Sequence, residues 1–140
     1  MYADYEYYKT TYGGSMTEDN YNIFGKRASA FMDFITERKL IDNLPSDEDD
    51  LDKIRECCCV LAEEMLAIRT RKDELASSSS GGIVKSMSSG GESVTYELSE
   101  LDTAILEGEV SIRKYLYGHA KMYLSYVADD DGSYYLYWGI

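Results

Sequence analysis

Between residues 51 and 68, apolar side chains recur as Leu51, Ile54, Cys58, Leu61, Met65 and Ile68, at spacings of 3, 4, 3, 4 and 3. That rhythm follows the 3.6-residue turn of an α-helix, so this segment must lay one continuous stripe against something else in the fold. Ser46, with Asp49 three residues on, forms a capping box ahead of the stripe and predicts where the helix opens. The acidic run 47–50 falls where the helix dipole favours anions and reads as a solvated helix terminus.

Other segments carry helical signals of the same kind. Residues 3–12 read as a short helix ended by Gly13-Gly14. Thr17 is the expected N-cap of the next one, with Glu18 and Asp19 placed favourably in its first turn. Tyr21, Phe24, Ala28, Phe31, Met32 and Ile35 form its inward face, and Arg38 and Lys39 in the last turn, then Pro45, end it. Ser99 with Asp102 makes a second capping box, opening a helical stretch to about residue 127. Its stripe runs through Leu101, Ile105, Ile112, Leu116, His119, Tyr123 and Tyr126, with Gly108 and Gly118 as kinks or close-packing points.

Two Ser/Gly breaks, 77–82 and 88–91, interrupt this helical texture. Residues 83–87 and 93–97, between and after them, hold β-branched side chains in partial alternation and predict a hairpin. The expected fold is therefore mainly α: a small bundle of about four helices with a β-hairpin or long loop inserted before the last long helix. One domain spans 1–140, with a flexible segment at 77–98 and a C-terminal aromatic arm at 129–140.

Size and charge restrict the function. A chain of 140 residues, 44% hydrophobic, suits one domain whose core closes without disulfides or a structural metal. Its 26 acidic against 14 basic residues give a net charge of −12, which opposes sequence-independent binding to nucleic acid. No apolar run approaches a membrane span and the start is unlike a signal peptide, so the chain is expected to stay inside a cell with no membrane partner.

Tests for chemistry return no site. Cys57, Cys58 and Cys59 are adjacent, a poor arrangement for pairing with one another, and read as buried free thiols. A metal would need further ligands, yet His119 is the only histidine. Gly81-Gly82 is separated from Lys85-Ser86 by Ile83 and Val84, so the phosphate-loop pattern fails. The acidic turn 129–132 lacks the alternating ligands of a calcium loop, and Glu107 and Glu109 point to different helix faces. No catalytic residue, cofactor, metal or enzyme class is expected.

Tyrosine is the compositional anomaly: 14 in all, six within the first 21 residues and seven within the last 26. Tyrosine combines large apolar area with a hydroxyl that tolerates wetting, so both ends read as contact surfaces.

These features taken together resemble the small head-tail connector (adaptor) proteins of long-tailed, siphovirus-type bacteriophages. The resemblance runs nearly end to end: the opening Tyr2-Ala3-Asp4-Tyr5-Glu6-Tyr7-Tyr8 with Tyr12-Gly13-Gly14, the segment 27–36, residues 54–63, and the stretch from Gly82-Ile83 to Val94-Thr95-Tyr96. The ending Tyr123-Leu124 with Leu136, Tyr137, Trp138, Gly139 and Ile140 completes it. It implies a virion structural protein at the neck, assembled in the host cytoplasm into a homo-oligomeric ring, a dodecamer. Such a ring sits between the portal and the stopper or tail-completion protein, and packaged DNA passes through its lumen without sequence-specific binding.

By the same resemblance, Leu136, Tyr137, Trp138, Gly139 and Ile140 are expected to dock on the portal. The tyrosine-rich start and the hairpin are the natural subunit contacts: Tyr5, Tyr8, Tyr12, Val84, Met87, Val94 and Tyr96. The chain departs from the family where Trp138 replaces a common Arg and where 103–117 and 129–135 are longer than usual. A competing reading, resting on charge and size, is an acidic mimic of DNA that inhibits a host nucleic-acid enzyme.

Overall fold

The Thr17 hydroxyl accepts the Asn20 backbone N–H at 3.3 Å, so the first long helix begins at its expected cap. The computed structural model describes residues 1–77 and 99–136. A short π-helix covers Tyr7–Tyr12, followed by α1 (Glu18–Ile35), α2 (Lys39–Asp42), α3 (Glu48–Ser77), α4 (Glu100–Glu107) and α5 (Glu109–Leu124). The chain is mainly helical, as expected. Among the described residues β-pairing is limited to an isolated antiparallel bridge between Ala128 and Tyr134. The expected hairpin falls on residues 78–98, which lie outside the described residues.

Three helix ends differ from their sequence signals. The capping box at Ser46 does not form. Asp47 accepts the Asp50 N–H at 3.1 Å and caps α3 instead, while the Ser46 backbone N–H and hydroxyl both donate to Asp130. At the end of α1, helical geometry stops at Ile35, before Arg38 and Lys39. Arg38 N–H bonds back to Asp33 O at 2.7 Å, and Glu37 and Arg38 sit in the left-handed region at φ +53° and +67°. This wrapping of the last carbonyls usually employs glycine, because a Cβ costs about 1 to 2 kcal/mol there.

The long last helix is broken at Gly108, whose φ of +110° and ψ of −168° are open in practice to glycine alone. The second capping box holds: Asp102 N–H reaches the Ser99 hydroxyl at 3.0 Å.

Backbone contacts divide the chain into two compact units. The first, Met1–Met65 with Leu116–Ile140, has a core built on Tyr8, Tyr21, Phe24, Met32, Leu40 and Leu61, each at most 1% exposed. Cys57, Cys58 and Cys59 are all fully buried free thiols, as expected from their apolar character. Three successive buried positions span an arc of about 200° on a helix, far wider than one stripe, so α3 is covered on more than one side here. The second unit, Leu66–Tyr115, buries Ile68, Ala104 and Ile112, and Arg71 Nε lies 2.6 Å from Asp102 Oδ1.

Two glycines make opposite demands. A Cβ on Gly14 would stand 2.0 Å from Cζ of the buried Tyr8 ring, which has nowhere to move, whereas a Cβ on the exposed helical Gly118 would meet nothing within 4 Å. Gly14→Ala is expected to lower unfolding stability by about 1 to 3 kcal/mol through overpacking. Gly118→Ala should raise it by about 0.5 to 1 kcal/mol by removing backbone freedom from the unfolded helix. Urea unfolding followed by circular dichroism checks both.

Candidate interaction surface

Twelve residues carry the expectation of contact with other proteins, eight of them at the chain ends, and four of the twelve, Tyr5, Tyr8, Tyr12 and Leu136, are among the described residues. Tyr8 is completely buried, so its predicted place at a subunit interface is corrected: its ring belongs to the core of its own chain. It stacks on Tyr21 with centroids 4.4 Å apart and planes 17° from parallel, and on Tyr12 at 5.8 Å and 20°. Tyr5 leans on both Tyr8 and Tyr21, at 6.3 and 6.2 Å. Tyr5 and Tyr12 remain half-buried.

The hydroxyls explain why these rings turn inward. Tyr8 donates to Glu63 on α3 and accepts the Met16 N–H at 2.9 Å. Tyr7 donates to Asp52 at 2.7 Å, Tyr2 to Asp33, and Tyr21 to the Ala3 carbonyl at 2.6 Å. Each pairing lets a partly buried phenol satisfy its polar end, so the aromatic area can leave water without stranding a donor. A tyrosine-rich segment followed by acidic helices was the available signal for this arrangement, since phenol donors need acceptors.

The C-terminal arm behaves similarly as far as it is described. Leu136 is 6% exposed and Tyr135 is 1% exposed, and the Tyr135 hydroxyl donates to the Asn43 carbonyl. The root of the arm thus packs on its own unit, and Leu136 is not presented to a partner. Tyr137, Trp138, Gly139 and Ile140 lie outside the described residues, as do Val84, Met87, Val94 and Tyr96.

Nucleophile chemistry finds little support in the geometry. Burial pushes the Cys57 thiol up and the Cys59 thiol up to about 12, so neither supplies thiolate near neutral pH. Ser29 donates to the Gly25 carbonyl at 2.9 Å and accepts the Tyr2 N–H at 3.0 Å, committing its hydroxyl to the backbone. His119 Nε2 lies 3.8 Å from Glu64 on the neighbouring α3. Among the described residues no group of three or more His, Cys, Asp or Glu side chains is placed to hold a metal ion.

What the first unit does present is an apolar and cationic face on α1 that sequence reasoning missed. Ile23 (43% exposed), Lys26, Arg27, Ala30 and Phe34 (66% exposed) follow one another at helical spacing on the exposed side. At its end Ala30, Asp33, Phe34, Glu37 and Arg38 line an open groove of about 510 Å³. Tyr21, Phe24, Ala28 and Met32 of the expected inward face are buried, with Phe31 and Ile35 half-buried at its edge; Phe34, adjacent to Ile35, turns outward. Two more large side chains, Met122 on α5 and Tyr126 just beyond its end, stand 77% and 75% exposed, so Tyr126 does not continue the inward stripe expected of it.

No family model, curated protein or solved structure matches this chain.

The buried phenols set the response to alkali. Burial raises the Tyr12 and Tyr135 hydroxyls to about 12, aided by Glu63 for the first and Asp129 for the second. Between pH 10, where an unfolded tyrosine ionises, and about 12, the unfolded chain releases protons that the folded chain retains, so stability falls as pH rises through this window. Stability from these groups is fully present below pH 10. The expected outcome is a phenolate absorbance at 295 nm that appears together with loss of helical circular dichroism; ionisation of every tyrosine near pH 10 with the helix signal intact would contradict it.

Proposed function

We propose that this chain is a virion structural protein of the head-tail connector type. Copies form a ring between the portal and the stopper or tail-completion protein, and packaged DNA passes through the lumen. The reading rests on the resemblance of residues 2–14, 27–36, 54–63, 82–96 and 123–140 to that family, and it agrees with a mainly helical chain. The observation that carries it is the set of large apolar side chains held out in water: Phe34, Met122 and Tyr126, each at least 66% exposed. On a chain of net charge −12 such side chains mark surfaces that another protein covers.

The burial of Tyr8 and Leu136 changes which residues would do this. Subunit contacts fall to exposed positions of the helices, and portal docking to Tyr137, Trp138, Gly139 and Ile140, with Tyr135 and Leu136 anchoring them. An acidic lumen would repel phosphates and let the duplex slide, consistent with the chain's charge.

The competing DNA-mimic reading is less well supported. A mimic needs carboxylates free in regular surface rows. Here Asp33, Asp52 and Glu63 accept tyrosine hydroxyls, Asp102 pairs with Arg71, and others stand in the first turns of α1, α3 and α4.

The test is the mass of the purified protein, alone and mixed with the portal protein of the same virus, by light scattering with negative-stain imaging. A closed ring, in either condition, is the expected result. A monomer that ignores the portal would overturn the reading and favour a search for a basic host partner.

A further inference from the structure

The exposed face of α1 differs in chemistry from the rest of this acidic chain. It sets two cations, Lys26 and Arg27, between two exposed apolar side chains, Ile23 and Phe34, and ends at the left-handed Arg38 beside the open groove. Arg27 also lies over the Phe24 ring at 5.7 Å, which holds its guanidinium in place against the helix. Phe34, 66% exposed, makes a tilted ring contact with Phe31 at 6.5 Å. A face of this kind binds a surface that offers apolar side chains flanked by carboxylates.

The same unit carries such a surface a few residues further on. Ile41 and Leu44 are 43% and 46% exposed, and the exposed Asp42, Glu48 and Asp49 flank them. The two surfaces share no residue. The first carries Lys26, Arg27 and Arg38, with Glu37 and the Tyr2-bonded Asp33 also at its groove, whereas the charges flanking Ile41 and Leu44 are Asp42, Glu48 and Asp49, and each surface contributes two large exposed apolar side chains.

We propose that the α1 face is covered by a second copy of this chain, through that copy's 41–49 segment. Ile41 and Leu44 of the second copy pack against Phe34 and the groove beside Arg38, while Asp42 and Asp49 meet Lys26 and Arg27. The occupant follows from charge complementarity: at −12, another copy of the chain is an abundant source of carboxylates at the concentrations of assembly. Two different patches meeting in this way give a head-to-tail contact, which closes into a ring when the rotation allows, into a reciprocal pair when that rotation is a half-turn, and runs on as an open filament when it does not close. The inference rests on the assembly reading only in requiring contact between copies.

The charges act mainly on the rate of association and on its partner choice, and Phe34 on its strength. Sedimentation velocity of the full chain across concentration, at low and high salt, tests this. The wild type is expected to self-associate, less so at high salt. Phe34→Ser should weaken association at least about tenfold, since an interface anchor is worth that much or more. A Lys26→Glu/Arg27→Glu variant and an Asp42→Lys/Asp49→Lys variant should each be impaired alone and associate when mixed, with circular dichroism showing that both are folded.

Restored association in the mixture supports the proposal, whether the product is a ring or a pair; a product that stops at the pair would overturn the ring and keep this contact. Rings formed equally well by all the variants would overturn this contact and keep the ring. A wild type that stays monomeric at every concentration and salt overturns both.

Discussion

The stack of Tyr8 on Tyr21 is the contact on which the first unit depends. It joins the N-terminal segment to α1, and the hydroxyls of the same two rings reach Glu63 on α3 and the Ala3 backbone. Cys58 and Cys59 lie against the Tyr21 hydroxyl at 3.8 and 3.9 Å, so the middle of α3 is pressed onto this pair. Gly14 has no side chain because the Tyr8 ring occupies the space one would take. The first sixteen residues are thus held by these two rings and their polar ends together with the hydrogen bonds of Tyr2 and Tyr7.

The excess of carboxylates has a structural use beside its electrostatic one. Phenols brought out of water need acceptors, and a carboxylate is a strong one. Asp33, Asp52 and Glu63 fill that role for Tyr2, Tyr7 and Tyr8, coming from two different helices. Abundant tyrosine and abundant acid are, in this part of the chain, two sides of one packing solution.

How much of this could be read in advance varied with the range of the interaction. The stripe of α3 and the caps at Thr17 and Ser99 depend on residues within a turn or two, and they formed as the spacing predicts. Ser46 failed as a cap because a partner 84 residues away, Asp130, took its hydroxyl and N–H, and nothing local announces that. The end of α1 was misplaced because Glu37 and Arg38 adopt a conformation that local preference assigns to glycine. The burial of Tyr8 was missed for a related reason: tyrosine suits interfaces and cores alike, and the choice was made by Glu63 and Gly14 together. The exposed face of α1 was hidden by the adjacency of Phe34 and Ile35, two apolar neighbours that point about 100° apart on a helix.

The loop after α5 is fastened to α2 and to the linker between α2 and α3 at several points. Asp130 takes two donors from Ser46, Tyr135 donates to Asn43, and Lys39 donates to the Ser133 hydroxyl and to the Tyr134 carbonyl. These bonds lie immediately before the last residues of the chain. A pull on the C-terminus therefore loads α2 and the α2–α3 linker through five hydrogen bonds and the buried Tyr135 ring, and does not simply peel a tail away from α5. Whatever grips the last residues has hold of the body of the first unit.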